Sequence, residues 1–308
     1  MISPMNPVIC GLPWLLALLL TPVTGLAEPL RVFASVVPIQ SFIAAVGGSH
    51  VDARAMVRPG FNPHTYDPTP QQISALAEAV LYVRTGVPFE TVWMKRIRSA
   101  NPRMEVIDAR EGIALRRMEA HDDEHDEHDE HEEGHEHEAE EHDHADEWDP
   151  HVWVSPRLAR HMAGVIRDAL TALDPAHAAD FARNYDAFAT ELDALDRELS
   201  ALLNPLSHRK FMVFHPAWGY FADQYDLIQV PIEREGKGPG ARALAELIGQ
   251  AKRDGIKTVF VQPQFDKRKA GQVARAIDGV VISVDPLHTD YIGNLRRVGR
   301  EFARALRP

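Results

Sequence analysis

The chain has 308 residues, 45% of them hydrophobic, which is enough to bury a full core in one large or two medium domains and excludes a disordered protein. Its formal net charge of −12 is concentrated in one place: residues 121–147 carry −16, so the remainder sums to +4. No clustered basic face or aromatic-and-basic stripe occurs, which sets nucleic-acid binding aside.

Residues 1–27 contain no Asp, Glu, Lys or Arg. An apolar stretch, Trp14-Leu15-Leu16-Ala17-Leu18-Leu19-Leu20, leads to the small-residue end Gly25-Leu26-Ala27. This reads as a secretory signal cleaved after Ala27, although the usual positive charge ahead of the apolar stretch is missing. A membrane anchor wants about 18 or more uninterrupted apolar residues. Cys10, the single cysteine, would leave with the signal, and Pro7-Val8-Ile9 ahead of it do not form a lipobox. A mature chain without thiols must bind metal through His and carboxylate, which suits an oxidising compartment.

Short apolar runs then recur: Leu30–Ala34, Val80–Val83, Met104–Ile107, Phe211–Phe214, Thr258–Val261 and Val280–Val284. Helical segments between them predict parallel α/β sheets. Thr69-Pro70, Ser155-Pro156 and Asp174-Pro175 each pair an N-cap residue with a proline suited to the first helical position. Phe181, Tyr185, Phe188, Leu192, Leu195, Leu199 and Leu202 alternate spacings of four and three, one apolar stripe on a long helix ending at Asn204-Pro205. The stripe alone fits a core helix of one domain equally well. Strand signals on both sides favour a helix joining two Rossmann-like lobes: 28–175, the helix at 176–204, and 205–308.

Residues 121–147 hold eight histidines, His121, His125, His128, His131, His135, His137, His142 and His144, with sixteen acids and no Lys or Arg. Imidazole suits zinc, copper, nickel and iron, and carboxylates raise the local cation concentration. With two alanines as its only apolar residues, the run cannot fold by burial, so 119–147 is expected to be a disordered loop of weak auxiliary metal sites.

Four other segments offer single ligands beside turn or strand signals. His64 lies in Pro59-Gly60-Phe61-Asn62-Pro63-His64-Thr65-Tyr66 and His151 in Trp148-Asp149-Pro150-His151-Val152-Trp153. His215 directly follows a strand in Phe214-His215-Pro216-Ala217-Trp218-Gly219-Tyr220, as does Asp285 in Val284-Asp285-Pro286-Leu287. Ligands of open α/β sheets gather at the carboxyl ends of the strands, so these residues can meet between lobes. Three imidazoles and a carboxylate would close a tetrahedral Zn²⁺ shell, whereas a catalytic zinc keeps a position open. The one His-Glu-x-x-His string, His131-Glu132-Glu133-Gly134-His135, falls in the acidic run that cannot fold by burial, so there is no His-Glu-x-x-His helix, the hallmark of many zinc hydrolases.

These motifs, with Gly236-Lys237-Gly238-Pro239, together resemble the zinc and manganese solute-binding proteins of ABC importers, the ZnuA-like or TroA-like family. The resemblance runs from about Leu30 to the end of the chain. It implies two α/β lobes bridged by a rigid helix, with His64, His151 and His215 as metal ligands and Asp285 as a fourth that gives way to water in some members. It also implies release of the metal to a membrane permease. His215, where manganese-type members often carry glutamate, shifts preference toward Zn²⁺, with Mn²⁺ the alternative cargo. Glu233 and Glu235 either orient a ligand or, as such residues more commonly do, form surface ion pairs.

The expectation is a monomeric, non-catalytic periplasmic protein that binds Zn²⁺ and delivers it to an ABC permease. A manganese or iron importer, a His-rich metal buffer and a secreted metallohydrolase are its rivals. Ligand histidines must be neutral, so affinity is expected to fall through their titration range, near about 6.5 if unperturbed. Deleting residues 121–147 is expected to leave one tight zinc site, remove the weak ones and slow uptake at scarce zinc; isothermal titration and radiotracer uptake test this.

Overall fold

The structure is a computed structural model that describes residues 28–118, 148–233 and 238–307. The expected signal, the His-rich loop and Glu235 lie outside the described residues, among which no helix is long and apolar enough to cross a membrane.

Two parallel four-stranded sheets repeat one topology. The first, ordered β2-β1-β3-β4, contains β1 (Leu30–Ala34), β2 (Val51–Ala55), β3 (Leu81–Arg84) and β4 (Glu105–Asp108), with helices α1 (Val37–Gly47), α2 (Pro70–Ala75) and α3 (Pro88–Ala100). Helices α4 (Pro156–Leu173) and α5 (Ala178–Leu203) follow. The second sheet, β6-β5-β7-β8, contains β5 (Lys210–Val213), β6 (Ile228–Pro231), β7 (Thr258–Val261) and β8 (Val280–Ser283). Its helices are α6 (Gly219–Gln224), α7 (Ala241–Arg253), α8 (Lys267–Ala276) and α9 (Tyr291–Ala305). In each sheet the strand order reverses between the first and third strands, which opens a crevice at their carboxyl ends.

Six strands fall where the apolar runs predict them. Sequence reasoning misses β2 and β6, one edge of each sheet, while it finds the opposite edges β4 and β8. Val51-Asp52-Ala53-Arg54-Ala55 carries two charges, and Ile228-Gln229-Val230-Pro231 mixes a polar residue with a proline. An edge strand lacks a neighbour on one side, so it keeps polar groups and proline that a central strand rejects. The caps also part ways with expectation. Thr69 forms a full capping box with Gln72, and Ser155 Oγ accepts from the Leu158 amide. Asp174 makes no cap; its carboxylate is taken by His177 Nδ1 at 2.5 Å, and the chain passes through a 3₁₀ turn, Pro175–His177, before α5.

At 1.5 Å per residue, the 26 residues of α5 span about 39 Å. Its stripe is the seam of the molecule: Phe181, Phe188, Leu192, Leu195 and Leu199 are buried in one continuous core that also takes in Phe42 and Val83 of the first half and Phe211, Phe260 and Phe302 of the second. Alternation along the strands sends Met212, Val259 and Val261 to the opposite face of the second sheet, into a smaller cluster with Leu247 and Val273. Buried polar ties reinforce the seam. Trp153 Nε1 donates to the Pro286 carbonyl (2.8 Å), Tyr291 Oη donates to the Trp153 carbonyl (2.6 Å), and Phe42 meets Tyr291 edge to face at 4.8 Å.

Because Leu195 is fully buried in this shared core, Leu195→Ala is expected to destabilise the protein by about 2–5 kcal/mol. A urea melt would show one lowered midpoint with an unchanged slope if the two halves unfold as a unit.

Candidate metal centre

Three turns deliver three imidazoles. After β2, Asn62 Oδ1 accepts from the His64 amide (2.9 Å) and the Asn62 carbonyl accepts from the Thr65 amide (3.2 Å), while Gly60 takes φ +84 as only glycine does readily. Ahead of α4, Asp149 Oδ1 accepts from both the main-chain amide of His151 (2.9 Å) and its Nδ1 (2.8 Å). After β5, the His215 carbonyl accepts from Gln262 Nε2 (2.7 Å), and its Nδ1 donates to Glu233 Oε1 (2.5 Å).

The potential ligand atoms of His64, His151 and His215 all lie within 4.8 Å of one another. Nε2 of His64 and Nε2 of His215 are 3.1 Å apart. Two nitrogens at 2.0–2.1 Å from a tetrahedral zinc stand about 3.3 Å apart, so this pair is spaced for one ion. The rings share a small cavity of about 10 Å³, room for a single ion or water, with Asn62, Gln262, Gln264, Phe265 and Pro286. Phe265 stacks on the His215 ring at 4.7 Å and Trp153 meets His151 edge-on at 5.4 Å.

Protonation follows from these partners. A carboxylate accepting from Nδ1 fixes the hydrogen there and leaves Nε2 with its lone pair, the arrangement that orients metal-binding imidazoles and raises their basicity. Burial, reinforced by the charges of His215 and His151, pushes His64 down to about 2. Burial likewise lowers His215, against the pull of Glu233. Burial alone would raise Asp149, yet its bonds to His151 and the charge of Arg116 hold it below the usual carboxylate range. His64 and His215 are thus perturbed from the ordinary value of 6.5, and both titrate below it.

Arg116 braces this pocket from behind. Its guanidinium meets Asp149 Oδ2 (3.2 Å) and Asp223 Oδ2 of α6 (3.0 Å), and its amide donates to Tyr220 Oη (3.1 Å), which donates onward to the Asp149 carbonyl (3.1 Å). A Cβ at Gly219 would collide with that guanidinium. Beside it, Arg117 and Trp148 form an isolated antiparallel bridge, and the Asp149 amide donates to the Arg116 carbonyl (2.9 Å).

Asp285, expected in the same group, stands outside it: Oδ1 accepts from Gln264 Nε2 (3.0 Å) and the Leu287 amide (2.9 Å). Glu233 is no surface residue, being 4% exposed and bound to His215. Sequence reasoning assigns no role to Asp149, Arg116 or Gln262. Asp149, two residues before His151 and followed by proline, was the most legible, because such an Asp can bond forward to its neighbour's amide. Arg116 and Gln262 reach the site only through the fold.

Two parallel-sheet halves joined through one helix, with His64 and His151 from one and His215 from the other placed so that they could hold a metal ion, have the architecture of a two-lobed solute-binding protein. The chain belongs to the ZnuA family: the profile described as "ZnuA: Zinc-uptake complex component A periplasmic" matches residues 32–305. The high-affinity zinc uptake system protein ZnuA of Brucella abortus is 32% identical over 279 residues, covering 83% of each chain. The zinc-binding protein AdcA of Streptococcus pyogenes is 27% identical over 251 residues, 80% of this chain, which spans about half (47%) of AdcA. A crystal structure of a ZnuA deletion mutant with zinc bound matches at TM-score 0.81 and 36% identity, covering 91% of this chain and 99% of that one.

Two predictions follow from the carboxylate-backed rings. Asp149→Asn or Glu233→Gln is expected to weaken zinc binding about 10–100-fold while the fold persists, read by competition with a chromophoric chelator. His64 and His215 have folded-state values below the unfolded 6.5, so protons favour the unfolded chain as pH falls. Stability of the metal-free protein is expected to be full above about pH 6.5 and to decline below it. Thermal melts from pH 8 to 4 would show this, with a shallower decline in His64→Leu.

Proposed function

We propose that this chain captures Zn²⁺ in the cleft between its lobes, with His64, His151 and His215 as ligands, and delivers it to an ABC permease from the periplasm. The observation that carries the reading is the convergence of three imidazoles from both halves of the chain, two of them backed by carboxylates. Three nitrogen donors favour Zn²⁺ over Mn²⁺, which prefers oxygen. The fourth position falls to Asp285 or to water.

The names of the relatives, a high-affinity zinc uptake protein and a zinc-binding protein, support zinc as cargo. A hydrolase would need a free general base beside the metal. The carboxylates of Asp149 and Glu233 are instead committed to imidazole Nδ1 atoms, which favours binding over turnover. A boundary near residue 175, with α5 between the lobes, is the domain division that accords with this reading.

Competitive titration tests it. The chain without residues 1–27 is expected to show one tight Zn²⁺ site and weaker Mn²⁺ binding. His64→Ala, His151→Ala and His215→Ala combined should remove the tight site and leave only weak binding from the His-rich run. Tight binding that survived the triple variant would make that run the principal site and the protein a buffer.

A further inference from the structure

Each sheet offers a crevice where its strand order reverses, and the two are filled differently. In the first half, the crevice between β1 and β3 is plugged from within: Glu90 Oε1 accepts from the Thr85 amide (2.8 Å) and Oε2 from the Gly86 amide (2.9 Å). In the second half, the crevice between β5 and β7 is flanked by His215, two residues past the end of β5, and Gln262, one residue past the end of β7. Gln262 is 1% exposed and lines the three-histidine cavity.

Its amide is only half used. Nε2 donates to the His215 carbonyl at 2.7 Å, which fixes which end of the amide is nitrogen. Oε1 is buried and has no hydrogen-bond partner among the described residues. A buried acceptor of this kind is unfavourable unless something donates to it. Asp285 does not reach it: its Oδ1 is engaged by Gln264 Nε2 and the Leu287 amide.

We propose that Gln262 Oε1 accepts a hydrogen bond from a water bound to the captured metal, making Gln262 the residue that positions the fourth, non-protein ligand. This rests on the three-histidine reading. A metal-bound water is a strong donor, because the cation draws electron density from its O–H bonds. The donor the buried oxygen lacks is thus supplied when cargo enters. One side chain then holds the main chain of His215 with its nitrogen and the exchangeable ligand with its oxygen.

The test uses Co²⁺ as a spectroscopic substitute for zinc in the chain lacking residues 1–27, with azide as a competitor for the water position. Azide is expected to change the visible Co²⁺ spectrum of the wild type. Gln262→Met is expected to weaken Zn²⁺ and Co²⁺ binding about tenfold. Gln262→Glu, which keeps an acceptor oxygen but loses the donor to His215, is expected to lose less. A wild-type spectrum indifferent to azide would place a protein carboxylate in the fourth position and overturn the proposal. So would a loss in Gln262→Glu as large as in Gln262→Met, since only the hold on His215 would then matter. If Gln262→Met fails to fold by circular dichroism, Gln262→Leu takes its place in that comparison, and the azide result stands on its own. Failure of the underlying reading looks different: Co²⁺ binding would then survive in the triple histidine variant.

Discussion

Crowding three imidazole nitrogens into a pocket away from water is tolerable only if every ring is neutral and aimed. Two neighbouring imidazolium ions would repel in a medium that screens them poorly. Burial keeps His64 and His215 uncharged, and carboxylates at Nδ1 keep the Nε2 atoms of His151 and His215 turned inward. Asp149 and Glu233 are themselves buried, so each depends on its imidazole as much as the imidazole depends on it. Arg116 extends this dependence, because it reaches Asp149 on one side and Asp223 of α6 on the other. Charge placement at the site and contact between the halves are therefore one problem with one solution.

The packing carries the same logic at larger scale. Rather than two separate cores bridged by a bare strut, α5 lies along a continuous apolar seam that reaches Phe42 on one side and Phe302 on the other. Its stripe is one that a core helix would show, and it serves both halves at once. Trp153, two residues after His151, donates across to Pro286 beside Asp285, so the turn that presents one imidazole is anchored to the opposite half. Precision of a fraction of an ångström among imidazoles needs such support, since a ring held only by its own loop would drift.

What could be read from the sequence follows the reach of the interactions involved. Six strands, the edges β4 and β8 among them, and the α5 stripe were legible, because their apolar residues stand in unbroken runs or at helical spacing. β2 and β6 were not, since two charges in one and a glutamine and a proline in the other break the apolar run, which an edge position permits but does not require. The three histidines stood out through their turn-rich or strand-end surroundings, and the structure brings them together. Their partners were harder. Glu233 lies 18 residues from His215 and looked like a surface charge until β5 and β6 paired. Gln262 is 47 residues from the carbonyl it holds, with nothing local to mark it.

The short bridge between Arg117 and Trp148, with the Asp149 amide bonded to the Arg116 carbonyl, has a consequence for how such a protein can evolve. The chain is pinned side by side on both flanks of residues 119–147, directly behind the aspartate that steers His151. Lengthening a closed loop is inexpensive, about 0.6 kcal/mol for each doubling. By that arithmetic, residues can be added or lost between the pinned ends at little cost in chain entropy, without moving the main chain that holds Asp149 behind the imidazole cluster.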